Sequence, residues 1–385
     1  MKLIPYSCQN ITNKDIQVVI KTLKSEYLTQ GPKIEEFEKK ICKYTGARYG
    51  VATNSATSAL HISCLALGLK VNEIVWTVPN SFVASSNCAL MCGAHIDFVD
   101  IDPLSNNISI SNLEEKLLKS AKKNKVPKIL IVVHLAGNPC DMKQLNKLKK
   151  KYNFKIIEDA SHALGAKYYE HKVGSCNYSD ITVFSFHPVK MITTGEGGIA
   201  LTNNKKLFEL LKSYRSHGIK RSINKKKKWF YDVVRLGFNY RITDIQCALG
   251  ISQLSKLDLW VKKRNILAKR YNKSLLDLPI ILPKISNEKI SSFHLYVVKL
   301  NKSLTNLKRD FIINHLRKKK IVTNLHYIPI YRHSFYKQFN FNKKNFPNCE
   351  EYYNNAISIP LFPEMTKKIQ DRIIKEIRSI FDKKT

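Results

Sequence analysis

Five short runs that are apolar on both faces, "YGVAT", "EIVWTV", "HIDFVD", "KILIVVHLA" and "FKIIEDA", recur through residues 49–160 with helical segments between them. Few folds accommodate this alternation. A strand buried on both faces needs a cover on each side, and parallel neighbours need a crossover, usually a helix. The pattern predicts an α/β fold with a mostly parallel sheet between helical layers. "IEEFEKKICKY" places Ile34, Phe37, Ile41 and Tyr44 on one helical face, and Gly46 can end that helix. "NSATSALHISCLALGL" is mostly apolar, as a buried helix would be. Asp141 is placed to cap "MKQLNKLKKKY", and Ser111 with Glu114 makes a capping-box pattern. In such sheets ligands bind beyond the carboxyl ends of the strands.

After about residue 240 the pattern changes. Thr243 and Gln246 form another capping-box pattern, leading into one long helix towards Tyr271. "SSFHLYVVKL", a helix in "NLKRDFIINHLRKKK", a strand in "IVTNLHY" and a last amphipathic helix predict a smaller α+β unit. At 385 residues two domains are the natural expectation. They are expected as a large domain over residues 1–255, with an N-terminal arm, and a small C-terminal domain over residues 256–385.

Apolar residues make up 44% of the chain, enough for a proper core. Basic residues outnumber acidic ones by 65 to 30, a net charge of +35. A nucleic-acid binder would carry such an excess. Yet the runs "KSAKKNK", "NKKKKW" and "RKKK" sit at loops or helix ends and form no stripe interleaved with aromatics, so solvated surface is the reading, with no nucleic-acid partner. The positive field remains available to draw in an anionic substrate. Nine cysteines include no C-x-x-C pair, which points to free thiols in a reducing compartment and to no metal site. No stretch approaches the about 18 apolar residues of a membrane span, and the first residues show no long apolar leader. A cytoplasmic protein without a membrane partner is expected.

Four features fall at the carboxyl ends of the expected strands. Residues 54–58, "NSATS", open a helix, and their N–H groups and hydroxyls suit a phosphate, although capping alone explains them equally. Glu158 and Asp159 end an apolar strand, where a carboxylate is costly unless paired; a structural ion pair or a bound cation would each satisfy that. Ser185 and His187 flank the exit of the next strand. Lys190 follows in the same turn, between an aromatic run and "TTGEGG". Together these fit pyridoxal 5'-phosphate, which needs a lysine to form an imine, a carboxylate to keep its ring nitrogen protonated, and a phosphate cradle.

The motifs "NSATSALH", "PNSFVASSN", "EDASHALGA", "FSFHPVKMITTGEGG", "RSHGI" and "NYRITDIQCALG" resemble, in order, those of the pyridoxal-phosphate-dependent nucleotide-sugar aminotransferases. The likeness runs from Tyr6 to the C-terminal helix. It implies the aspartate-aminotransferase fold (fold type I) and a homodimer with shared active sites. It implies Lys190 as the imine-forming lysine, Asp159 as partner of the ring nitrogen and His162 beside the ring hydroxyl. By the same resemblance Phe82 stacks on the ring, and Ala56, Thr57 and Ser185 take the phosphate, joined by Asn239 from the neighbouring subunit. Tyr6, Glu26, Tyr27, Leu28, Thr29 and the loop at His326 and Tyr327 are implied as sugar-nucleotide contacts, to which Ala56, Ser185 and Asn239 also contribute. "EYLTQG", "DASHALG", "SFHPVK" and "LHYIPIY" are most similar to the pseudaminic-acid branch, which aminates a UDP-linked 4-keto-6-deoxy-N-acetylhexosamine with glutamate as donor.

His162 stands where many members have glutamine, and Met191 where a proline is expected. Members that dehydrate their sugar carry histidine at the lysine position, so Lys190 argues for amination. Legionaminic, bacillosamine and perosamine precursors are the alternative substrates.

Overall fold

The computed structural model describes residues 2–221 and 229–382; the lysines of the "NKKKKW" run lie outside the described residues. Seven strands form the central sheet: β1 (Tyr49–Thr53), β2 (Ile74–Thr77), β3 (His95–Phe98), β4 (Ile129–Val133), β5 (Lys155–Asp159), β6 (Ile181–Ser185) and β7 (Gly198–Thr202). Their order is β1-β7-β6-β5-β4-β2-β3. From β6 through β5, β4 and β2 to β3 the pairs are parallel, whereas β7 runs antiparallel to both β1 and β6. The connection explains the reversal. No helix crosses over between β6 and β7, so the chain turns back through residues 186–197, and that turn carries Lys190.

Helices cover both faces in the expected alternation. After α1 (Asn13–Leu23), α2 (Pro32–Thr45) ends at Gly46, whose φ of 87° suits glycine. α3 (Ala56–Ala66) is buried along nearly its whole length, consistent with its apolar sequence. α4 (Ala84–Leu90), α5 (Ile110–Ala121), α6 (Met142–Tyr152) and α7 (Lys205–Arg215) follow. Asp141 caps α6 by accepting from the Gln144 N–H at 3.2 Å.

Three expectations are corrected. α5 is capped by Ser109, which accepts from the Asn112 N–H, and not by Ser111; the chain leaves its bridge at Ile108 directly into the first turn. The long helix after Thr243 is two helices, α8 (Asp244–Leu254) and α9 (Leu257–Ser274). Between them the Ser255 hydroxyl bonds the Ser252 carbonyl, offering the backbone a local alternative to the helix. Residues 321–327 make single bridges from Ile321 to Ile4 and from Asn324 to Ser358, and no strand. Side chains take over instead: Asn80 accepts from the Tyr327 N–H and the Tyr352 hydroxyl donates to the His326 carbonyl.

A second core surrounds a small antiparallel sheet of β8 (Ile280–Ile281), β9 (Tyr296–Leu300) and β10 (Ala356–Ile359). It is built from α9, α10 (Arg309–Lys318) and α12 (Lys367–Asp382), with Ile4 from the N-terminal arm. Residues 330–355, including α11 (Pro347–Asn355), contribute Ile330, Tyr336 and Tyr352 to the main core instead.

α1 docks on α8 through Asp15, which is fully buried. It accepts from Ser252, Gln253, Thr12 and the Lys256 ammonium at 2.6–3.0 Å. Burial alone would raise this carboxyl, but the bonds from Lys256, Ser252 and Thr12 outweigh it and hold it at about 2, below its ordinary 3.8. Because the folded value lies below the unfolded one, the contribution is present above pH 3.8 and is lost as pH falls towards 2. Asp15→Asn is expected to lower stability by about 2–4 kcal/mol at pH 7, since it strands the Lys256 ammonium. In urea melts that deficit should shrink between about pH 4 and pH 2; an unchanged deficit would show that the charge is irrelevant.

Candidate active site

A cavity of roughly 970 Å³ opens at the carboxyl ends of β1, β4, β5 and β6. Its first wall is the start of α3. Ser55 caps the helix by accepting from the Ser58 N–H at 3.1 Å, and Asn54 accepts from the Ser58 hydroxyl at 2.7 Å. The first-turn N–H groups of Ala56 and Thr57 have no acceptor four residues back, and both residues line the cavity. β7 presses close behind: a Cβ on Gly198 would stand 2.5 Å from the Ala56 nitrogen, so the approach requires glycine.

β5 supplies the floor. Glu158 points away from the cavity into a buried set, 2.8 Å from His134 Nε2 and 2.9 Å from the Thr182 hydroxyl, with the Ser179 hydroxyl as a third donor. Asp159 leaves the opposite side and lines the cavity. Its Oδ2 accepts from the Ser85 hydroxyl at 2.6 Å, and its Oδ1 from the Ser161 hydroxyl at 2.5 Å and N–H at 3.2 Å. The ion pair left open by the sequence therefore belongs to Glu158.

Lys190 sits opposite, in the β6–β7 turn. Thr193 and Thr194 bond the Phe186 carbonyl, and the Gln246 side chain bonds the Glu196 carbonyl, so the turn is braced from both ends. The Lys190 amine has no hydrogen bond or ion pair among the described residues. Burial pushes it down to about 8 from an ordinary 10.5, against the pull of Asp159. His162 Nδ1 accepts from the Ala136 N–H at 3.2 Å, and its Nε2 lies 3.1 Å from the Tyr327 hydroxyl. Burial, then Lys190 and His326, hold His162 well below the ordinary imidazole range. His326, 2.7 Å from the Ser358 hydroxyl, is pushed down to about 3 by burial and Lys190.

Of the residues singled out in the sequence, Tyr6, Ala56, Thr57, Phe82, Asp159, His162, Ser185, Lys190, His326 and Tyr327 line this one cavity. Glu26, Tyr27, Leu28, Thr29 and Asn239 do not. All five are exposed, and they lie near the start of α8: Thr29 bridges Thr243, and the Asp244 N–H donates to the Leu28 carbonyl. Asn239 bridges Ser216, next to Tyr240, whose carbonyl accepts from the Asn54 N–H at 2.9 Å. Sequence reasoning missed Ser85, Ser161 and His294. All three stood in quoted stretches, but nothing in the sequence marked Ser85 or Ser161 as bond donors to Asp159, or His294 as a neighbour of His162.

The residues present suit pyridoxal phosphate: unpaired helix-start N–H groups beside the hydroxyls of Thr57 and Ser185, a buried carboxylate facing inward, and an amine of lowered basicity within the same cavity. Fold and cavity define an aspartate-aminotransferase-like, pyridoxal-phosphate-dependent enzyme. The chain belongs to the DegT/DnrJ/EryC1/StrS aminotransferase family, whose sequence profile matches residues 9–378. It is 41% identical to the UDP-4-amino-4,6-dideoxy-N-acetyl-beta-L-altrosamine transaminase of Campylobacter jejuni over 382 residues, 99% of this chain and 98% of that one. Its fold is similar to Helicobacter pylori PseC, an aminotransferase of pseudaminic acid biosynthesis, with a TM-score of 0.90 at 32% identity, covering 99% and 100% of the two chains. A sugar aminotransferase from Streptococcus pneumoniae in its pyridoxal-phosphate form matches with a TM-score of 0.89 at 28% identity over 99% of each chain.

Proposed function

We propose that this enzyme aminates C4 of a UDP-linked 4-keto-6-deoxy-N-acetylhexosamine, the β-L-arabino sugar of the pseudaminic acid route, with glutamate as amino donor. The observation that carries this reading is the likeness, end to end, to a relative named for a UDP-linked 4-amino-4,6-dideoxy-N-acetyl sugar.

When bound, the cofactor supplies an electron sink for a carbanion next to nitrogen. In this reading Asp159 keeps the ring nitrogen protonated, because an adjacent opposite charge shifts a pKa by roughly 1–3 units. Ser85 and Ser161 hold that carboxylate in place. The N–H groups of Ala56 and Thr57 and the Ser185 hydroxyl would take the phosphate, Phe82 would cover the ring, and His162 would bond the ring hydroxyl. Lys190 would hold the cofactor and, when free of it, would accept and return a proton at its Nζ. A lysine near pKa 8 is part neutral at pH 7 and so able to accept that proton. Tyr6, His326 and Tyr327 are assigned to the sugar nucleotide.

The same reading makes the enzyme a homodimer, in which Glu26, Tyr27, Leu28, Thr29 and Asn239 act on the cavity of the neighbouring subunit. Their exposure in one chain supports this, as does the run of exposed apolar side chains nearby at Trp229, Phe230, Tyr231, Val233, Val234 and Leu236.

Three outcomes are expected. Borohydride should fix the cofactor on Lys190, and Lys190→Ala should bind cofactor without turnover; an adduct on another lysine removes the assignment. Inactive Lys190→Ala and Asn239→Ala subunits, once exchanged into hybrid dimers, should regain activity, since one of the two sites is then intact. Hybrids that form and stay inactive would place both lesions in one chain's site. With glutamate as donor, kcat/KM for the β-L-arabino 4-keto sugar should exceed that for its D-xylo C5 epimer by about tenfold or more, because small misplacements of the reacting carbon are costly in rate. The opposite preference would move the enzyme to the bacillosamine or legionaminic precursors.

A further inference from the structure

Two non-glycine residues beside the cavity hold a left-handed backbone, Ala136 at φ 58° and Phe293 at φ 46°. Such conformations persist only where the surroundings over-determine them. Here they lie in two segments bonded to each other. The Ser292 N–H donates to the Gly137 carbonyl at 3.1 Å, and the Leu295 N–H to the Ala136 carbonyl at 3.4 Å. The Ser292 hydroxyl donates to the His162 carbonyl at 2.7 Å. No slack remains, since a Cβ on Gly137 would meet Ser292 Oγ at 2.1 Å and the His162 carbonyl at 2.9 Å.

This clamp presents a pair of imidazoles. Ala136 donates to His162 Nδ1, and Phe293 delivers His294, whose ring centre lies 4.5 Å from that of His162 at 44°. His294 is 2% exposed and lines the cavity. Its Nδ1 has no hydrogen-bond partner among the described residues, so packing on His162 holds the ring, not a hydrogen bond at that nitrogen.

We propose that His294 is a positioning residue: its ring fixes the orientation of His162 at the floor of the cavity, against the Ala136 N–H that sets the tautomer. The Ala136 N–H makes Nδ1 of His162 the acceptor, so the proton sits on Nε2, directed at Tyr327 and the cavity. The groups facing the pair are Lys190, His326 and Arg264, all of which oppose a charge on one or both rings, with Tyr327 at Nε2 and Asp159 at the end of β5. Burial is the largest cause that keeps His162 neutral, and the His294 ring supplies part of that burial. Removing it lets water reach His162 and frees the ring to turn away from the Ala136 N–H, so that Nδ1 can take a proton.

The inference rests on pyridoxal phosphate occupying the cavity, and its test reads the visible absorbance of the bound cofactor against pH, before any substrate is added. The parent enzyme, which must itself be yellow, is expected to titrate in one step. His294→Ala should add a second step near the ordinary imidazole pKa of about 6.5, and His162→Gln in the same chain should abolish it. His294→Phe, which keeps a ring on His162, should restore the single step. With the keto sugar, kcat of His294→Ala should fall about tenfold with KM within about twofold, as for lost positioning. A cofactor-loaded His294→Ala variant with the parent's single step overturns the proposal. Should alanine prevent loading, the phenylalanine variant decides it: the parent's titration supports the proposal, and a second step overturns it.

Discussion

The floor of the cavity depends on the parity of one strand. Successive side chains of β5 leave on opposite faces, so Glu158 and Asp159 cannot share an environment. Glu158 is engaged on the far side by His134, Ser179 and Thr182. Asp159 then has to face the cavity, where Ser85 and Ser161 wait for it. A slip of one residue would exchange the two carboxylates and put every β5 side chain on the wrong face. A buried pair of this kind adds little net stability, because desolvation offsets the attraction. Its effect is on register, and through register on which carboxylate faces the cavity.

The same cavity sets two electrostatic demands on Lys190 that pull in opposite directions. Burial disfavours the ammonium and Asp159 favours it; burial prevails, and the amine falls to about 8. At pH 7 a larger share of this amine is neutral than of an ordinary lysine. The imidazoles of His162, His294 and His326 contribute to the cavity without adding positive charge, since all three are held below their ordinary range. The Lys190 amine thus lies among imidazoles that do not compete with it for a proton.

The cavity is also a meeting point of distant segments. Tyr6 comes from the arm, which is tied to both sides: Ile4 bridges Ile321, and the Ser7 hydroxyl bonds the Val189 carbonyl. The 324–328 loop and His294 come from segments that also feed the second core, while α3, β5 and the Lys190 turn pack on or belong to the central sheet. Any shift of the small sheet against the large one would move Tyr327 and His294 relative to His162, so the contacts at 3.1 Å and 4.5 Å report how the two parts are seated.

The sequence by itself determined the strand and helix alternation, because burial on two faces and helical periodicity are local patterns of side chains. It also marked Lys190, Asp159 and the start of α3, since a lone lysine at strand ends, a carboxylate closing an apolar run and a helix opening in serine and threonine each break the local rule around them. Phe82, Asn239 and His326 obey local rules and were chosen only through family resemblance. Ser85, Ser161 and His294 were not legible at all, since a serine in a helix or a histidine in an apolar run looks ordinary until its neighbour is known. The bridged path of residues 321–327 likewise came from contacts far along the chain, to Ile4 and Ser358. Tertiary structure decided these because pairing, burial and the lowered basicity of Lys190 are properties of what packs against a residue, and residues next to one another in the cavity are up to hundreds of positions apart in the sequence.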